Sequence, residues 1–405
     1  MSDRILTTHA GSLPRPEELA ALNLARAAGE LDDETSYDQQ LAEAVGQVVA
    51  RQRDVGIDIV NDGEYGHSMG EPYDYGAWWT YVFGRLGGLE LVNVAMLDMP
   101  QPKAKAGQIT LASFNERRDW QQFDEAYADP KSGCALPNRP EVAPVCRGPI
   151  TYTGHEQVAR DIANLKSALD AAGLKDGYLN AVAPGSCGRF GNEYYDSDEE
   201  LMYACADAMR EEYKAIIDAG LILQLDDPAI AENWDQINPA PSVEDYRRFT
   251  MVRVDALNHA IRDLPPERIR FHLCWGSWHG PHVTDIAMAD IVKVMLSINA
   301  SAYSFEAANV RHEHEWKLWQ DVTLPDGKVI LPGVVSHSTN VVEHPQLVAE
   351  RIARFASGVG PENVIASTDC GLGGRVHPQV AWAKLESLAQ GAELATRELF
   401  ARRAA

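Results

Sequence analysis

Cationic side chains are scarce in this 405-residue chain: 36 Lys and Arg stand against 59 Asp and Glu, a formal net charge of -23. So anionic a surface repels phosphate backbones and acidic lipid headgroups, which excludes nucleic acid and membrane as general partners. No apolar run reaches membrane-spanning length, and the first residues, Met1 to Leu6, lack the apolar core of a signal peptide. Cysteine is also sparse. The six thiols, at 134, 146, 187, 205, 274 and 370, form no Cys-x-x-Cys pair, which excludes a zinc-finger spacing and a short secreted disulfide framework. Reduced thiols in a cytoplasmic enzyme are the expectation. No phosphate-binding glycine fingerprint follows the first apolar run, so a dinucleotide-binding fold is excluded as well.

What the chain does contain is a repeated alternation of short β-like runs and helical periodicity. Ile5 to Thr8 reads as a strand entering a rigid turn with Gly11, Pro14 and Pro16. Residues 35–56 carry apolar positions at Leu41, Val45, Val48 and Val49, stopped by Gly56, and 57–64 is a strand ending in Asp62 and Glu64. From 67 to 147 the alternation fails. That segment holds Trp78, Trp79, Tyr81 and Phe83 and then a polar, proline-bearing run; it reads as an insertion after the second strand, its aromatics more often local packing than a substrate cover.

Alternation resumes with strands at 149–153, 177–183, 221–226, 270–274, 302–305, 329–335 and 364–369. Helices are expected near 156–171, 198–219, 243–262, 285–298, 345–357 and 378–401. Strands separated by helices imply parallel βα units with right-handed crossovers, and the fold expected for residues 1–405 is a single (β/α)8 TIM-type barrel. Nine strand candidates are one too many, so one lies outside the barrel or is a misread loop. A barrel is favoured over an open sheet because Ser12, Glu64, Asp226, His272, Cys274, Glu306, His337 and Cys370 all fall at or just past C-terminal strand ends, the active face of such barrels.

His272 and Cys274 stand two residues apart in a strand-like run, and residues i and i+2 of a strand share a face. They can therefore point at one ion. Glu306 and Cys370 each close another strand, making a possible His, Cys, Glu, Cys set whose softness and number suit zinc. On the residues alone the bland alternative stands beside it: a lone buried cysteine is commonly a small core residue.

Taken in order, Gly11-Ser12, Asp62-Gly63-Glu64, Leu225-Asp226-Asp227-Pro228-Ala229, His272-Leu273-Cys274, Phe305-Glu306, Pro332 to His337 and Asp369-Cys370-Gly371-Leu372 resemble the C-terminal catalytic barrel of the cobalamin-independent methionine synthases and the related epoxyalkane:coenzyme M transferases. The resemblance implies a Zn2+ ion at His272, Cys274, Glu306 and Cys370 that binds a thiol substrate as thiolate for attack on an alkyl, most often methyl, carbon. It further implies that homocysteine sets its ammonium against Glu64 and Asp226 and its carboxylate at Gly11-Ser12, and that His337 aids proton transfer to the leaving group. Strand-end acids could instead cap helices, an alternative suited to Asp227. The methyl donor is left open among folate, another small donor and a corrinoid protein, since the synthase's second barrel has no counterpart in these residues. Arg15 resembles the coenzyme M branch, where a guanidinium could bind an anionic tail; ring opening of an epoxyalkane by such a thiol is the alternative function. Oligomeric state is not legible.

Overall fold

Local sequence signals start and stop the helices. Ser197 caps Asp198–Asp218 by accepting from the Glu200 N–H at 3.1 Å, with acids at 198, 199 and 200 in the first turn, where they meet the positive end of the helix. Pro345–Val359 starts with proline at its first position and buries Val348, Ala349, Ile352, Phe355 and Ala356 on one face. The computed structural model describes residues 3–27, 29–31, 33–67, 77–93, 109–134 and 143–401. Helices Glu34–Asp54, His155–Ala172, Val243–Ala260, Met288–Leu296 and Pro378–Ala401 also form within a few residues of where periodicity places them. Of the described α-helices longer than five residues, Glu17–Ala27 is the one outside the expected set; Pro14 and Pro16 just before it are the signal that marks its start.

Eleven strands are described: β1 (Leu6–Thr7), β2 (Val60–Asn61), β3 (Leu86–Val92), β4 (Ala143–Tyr152), β5 (Gly177–Val182), β6 (Gly191–Asn192), β7 (Ile222–Asp226), β8 (Ile269–Leu273), β9 (Ala302–Phe305), β10 (Val329–Val335) and β11 (Ile365–Thr368). Eight make one all-parallel sheet in the order β1-β11-β10-β9-β8-β7-β5-β2. Its two edges meet: the Asp58 and Ile59 N–H groups both donate to the Thr7 carbonyl at 3.1 Å, so the sheet curls round on itself.

The surplus strand candidate is thereby identified. The run at 149–153 belongs to β4, which pairs antiparallel with β3 and parallel with β6 in a separate three-stranded sheet. A β-branched run declares strand but not which sheet it joins; of the two alternatives for the ninth candidate, the one in which a strand lies outside the main sheet holds. This side layer includes part of the segment expected as an insertion, and it continues past 147 to Tyr152. Residues 68–76, 94–108 and 135–142 of that segment lie outside the described residues. Its aromatics pack locally: Trp79 meets Phe83 edge-on at 5.3 Å and Phe83 meets Phe190 at 6.4 Å.

Strand alternation sends one set of side chains outward and the other inward. On β7, Leu223 and Leu225 are wholly buried in the apolar core, whereas the Gln224 amide donates to the Ala10 carbonyl at 2.5 Å and to Asp226 Oδ1 at 2.8 Å. The inward layer is polar throughout this region. Arg270 of β8 donates to Thr8 Oγ1 at 2.9 Å and the His9 carbonyl at 2.7 Å, with its guanidinium 3.9 Å over the Tyr178 ring. These contacts satisfy a buried cation and fix the chain just before Gly11.

Candidate metal and thiol site

The strand register brings His272 and Cys274 together with Cys370, which lies past β11. One ligand atom from each lies within 4.8 Å of the other two. His272 is 3% exposed and Cys274 5%. His272 Nδ1 meets Ser304 Oγ at 2.9 Å, which leaves Nε2, buried and without a hydrogen-bond partner, as the free donor atom. The two sulfurs lie within 4.8 Å of each other. That contact pushes Cys274 well above the ordinary thiol range and holds Cys370 well below it, so the pair tends toward one thiol and one thiolate.

Glu306, expected beside these three, stands in an adjoining cluster with His337 and Asp369, their ligand atoms within 4.8 Å of one another. Its Oε1 accepts from the Trp275 backbone N–H at 3.0 Å and its Oε2 from the Asn309 amide at 2.5 Å. Two hydrogen-bond donors are better company for a carboxylate than two thiols. Burial first, then the charges of Asp369 and Cys370, push Glu306 up to about 8. Asp369 accepts from the Ala307 and Ala308 N–H groups through Oδ1, at 2.7 and 2.8 Å, and burial pushes it up to about 7. His337 is pushed down to about 3 by burial and is neutral, with Nδ1 unpartnered. The close approach of β10 and β11 here requires a glycine. A Cβ on Gly333 would stand 2.3 Å from Asp369 Oδ1 and 2.4 Å from its Cα.

The expected substrate-binding residues converge on the same mouth. Gly11 lies against Glu64, whose Oε1 would be 2.1 Å from a Cβ at that position. The Ser12 carbonyl accepts from the Leu372 and Gly373 N–H groups at 2.9 and 3.0 Å, and Leu13 N–H donates to the Gly63 carbonyl at 3.2 Å. The 11–13 turn is thus tied on one side to the acid turn and on the other to the Cys370 turn. Glu64 itself sits at φ 59° after Gly63 at φ 72°, a left-handed pair that carries the side chain inward at some backbone cost. Asp226 Oδ2 accepts from the Asn180 amide at 3.0 Å. Burial pushes Asp226 up to about 6, and burial with the neighbouring Asp226 and Asp62 charges pushes Glu64 well up.

Arg15 reaches this region too, but its Nη2 donates to the Glu64 carbonyl at 2.8 Å and the His67 carbonyl at 3.1 Å. It braces the acid turn. Asp227 faces away, accepting from Ser186 Oγ at 2.7 Å, in keeping with the local structural role that its place in the sequence allowed. The sequence reading missed Asn180, Trp275 and Asn309. Asn180, a lone amide inside the apolar run of β5, was the one with a visible signal.

Residues 135–394 match the family described as cobalamin-independent synthase, catalytic domain. The chain belongs to that family. Among the relatives of this chain, the methionine synthase of Thermococcus kodakarensis is 27% identical over 211 residues, 51% of this chain and 54% of that protein. The methionine synthase of Sulfolobus acidocaldarius is 23% identical over 407 residues, 98% of this chain and 95% of that one. The chain therefore spans about half the length of the Thermococcus kodakarensis relative in the match. A B12-independent methionine synthase structure from Shewanella sp. W3-18-1, in complex with selenomethionine, shares 21% identity and a TM-score of 0.69, covering 98% of this chain and 99% of that one. At that identity the likeness is one of fold.

Proposed function

We propose that this cobalamin-independent synthase is a zinc-dependent methyltransferase of (β/α)8 barrel type, acting on homocysteine to form methionine. In this reading residues 1–405 are one catalytic unit and 67–147 an insertion within it. The observation that carries it is the convergence of His272, Cys274 and Cys370 on one point beside the electrostatically coupled acids Glu64 and Asp226. The donor set fits zinc: two thiols, one of them already held toward thiolate, and a buried imidazole nitrogen with no other partner. Glu306 is the fourth ligand in this proposal, from the adjoining cluster. When bound, zinc supplies the Lewis acidity that keeps a thiol deprotonated and nucleophilic at neutral pH.

The chain's own residues do the rest. Glu64 and Asp226 receive the substrate ammonium, the 11–13 turn receives its carboxylate, and the buried mouth excludes water. A sulfur–carbon bond forms as the bond from the methyl group to its donor breaks, and the thiol's proton is balanced by protonation of the departing donor. His337, neutral with an unpartnered Nδ1, carries that proton. The family's description as cobalamin-independent lends no support to a corrinoid donor, which leaves folate or another small methyl donor.

The reading is tested by measuring methionine formation from homocysteine with a panel of methyl donors, including methyltetrahydrofolate. Turnover with one of them is expected, and no methyl transfer to homocysteine from any of them would contradict it. In the same assay His337→Ala should lower kcat about 100-fold or more with little change in homocysteine KM, and a matching loss in both would remove the proton-carrying role. A pH series adds an independent check. Asp226 is pushed up to about 6, so it is anionic above that pH and protonated below it. Homocysteine KM should therefore rise as pH falls from 7 to 5, by up to about tenfold per unit, while KM for a thiol lacking an amino group stays flat. Parallel profiles for the two thiols would contradict the assignment.

A further inference from the structure

Glu306 is held from two sides by one short stretch of chain. On one side the Asn309 amide donates to Oε2 at 2.5 Å. The orientation of that amide is fixed, because Asn309 Oδ1 accepts from the Arg311 N–H at 2.9 Å and the His312 N–H at 3.0 Å, leaving only the NH2 end to face the carboxylate. On the other side the Trp275 N–H donates to Oε1 at 3.0 Å. The Trp275 indole is locked by donation to the Ile286 carbonyl at 2.7 Å and by stacking on His312 at 3.8 Å between centroids. His312 in turn stands between two carboxylates, Asp285 Oδ2 at 3.0 Å from Nε2 and Glu315 Oε2 at 2.9 Å from Nδ1. Both ring nitrogens face acceptors, so the ring must donate from both to satisfy them. Residues 309 to 315 therefore set both anchors of Glu306.

We propose that Asn309 is a positioning residue for the metal centre, its amide fixing where the Glu306 carboxylate stands relative to the Cys274 and Cys370 thiols. The inference rests on the zinc reading above and goes beyond it by assigning a residue that touches neither metal nor thiol. Hydrogen-bond partners of ligating carboxylates orient them and tune the metal, and their loss typically costs about 10- to 100-fold in metal affinity.

Asn309→Asp separates this role from a purely structural one. Aspartate keeps the acceptor that the Arg311 and His312 N–H groups need, so the turn is preserved, but it removes the donor to Glu306 and sets a second carboxylate against it. The readouts are the zinc dissociation constant, by competition with a chelator, and the visible absorption of the cobalt(II)-substituted protein, which reports ligand geometry without turnover. The expected result is a melting temperature close to that of the unaltered protein, zinc affinity lowered about 10- to 100-fold and shifted cobalt bands. In a Glu306→Gln background the same substitution should add no further shift. Asn309→Ala, which loses both functions, should lower the melting temperature as well. If Asn309→Asp leaves affinity and cobalt bands unchanged, or if its effect persists undiminished with Glu306→Gln, the positioning role is overturned. If the unaltered protein binds neither metal, it is the zinc reading that fails, and the two failures are told apart on the unaltered protein alone.

Discussion

Cys274→Ala and Cys370→Ala are each expected to give a folded chain that no longer retains zinc through dialysis and has no measurable methyl transfer. In the proposed zinc site each thiol supplies one of two soft donors beside one imidazole and one carboxylate, and thiolate is the ligand that most favours zinc over the harder divalent ions. Metal binding also draws its strength from deprotonated ligands, and Cys370, beside Cys274, is already held well below the ordinary thiol range. Removing either sulfur removes that bias along with the ligand. Glu306→Gln should do less, because both thiols and His272 stay in place. Elemental analysis decides: zinc at the level of the unaltered protein in either cysteine variant would show that the ion is held elsewhere. The fold should tolerate both changes, since the sheet register that presents them is set by backbone pairing of β8 with β7 and β9 and of β11 with β10 and β1.

Glu64→Ala and Asp226→Ala should each raise homocysteine KM by about 10- to 100-fold, the equivalent of roughly 1–3 kcal/mol for one lost charge-assisted hydrogen bond, whereas Arg15→Ala should act more weakly on thiol selectivity. Two buried carboxylates, with burial first and the Asp226 charge next holding the Glu64 pKa well up, are costly together unless a cation joins them. An ammonium is that cation. Arg15 is placed differently: its Nη2 bonds the Glu64 and His67 carbonyls and its charge lowers the Glu64 pKa, so its loss loosens the acid turn but removes neither of the acids that would meet an ammonium. For a thiol with an anionic tail, as in the coenzyme M reading, the ranking would reverse. Steady-state KM for homocysteine and for 2-mercaptoethanesulfonate in the three variants distinguishes the two. A dominant Arg15 effect with indifferent acids would transfer the chain to that alternative.

The approach of His272, Cys274 and Cys370 was legible because strand periodicity is a strict rule: two residues apart means one face, and strand ends in a parallel sheet gather at one end. The same logic drew attention to Glu64, Asp226 and His337. It could not say which hydrogen bonds each carboxylate would make, and the bonds that Trp275 and Asn309 donate to Glu306 have no signature in the sequence. Nor could it sort β4 from the strands of the eight-stranded sheet, since partner choice depends on β3 and β6, whose pairing has no local signature. Arg15 shows a third kind of limit. Its charge suggested an anion, and its place in the turn made it a brace for backbone carbonyls. Asn180 lay in view as a polar residue inside an apolar strand, and only the fold showed that it joins Asp226 Oδ2 to the Ala10 carbonyl.

The most direct test is a crystal structure of the zinc-loaded chain with homocysteine, using anomalous scattering at the zinc edge to locate the ion. The account predicts a single strong zinc peak among His272, Cys274 and Cys370, with the substrate sulfur directed toward it and the substrate ammonium against Glu64 and Asp226. A zinc peak away from both thiols, or a homocysteine ammonium directed away from both acids, would contradict it.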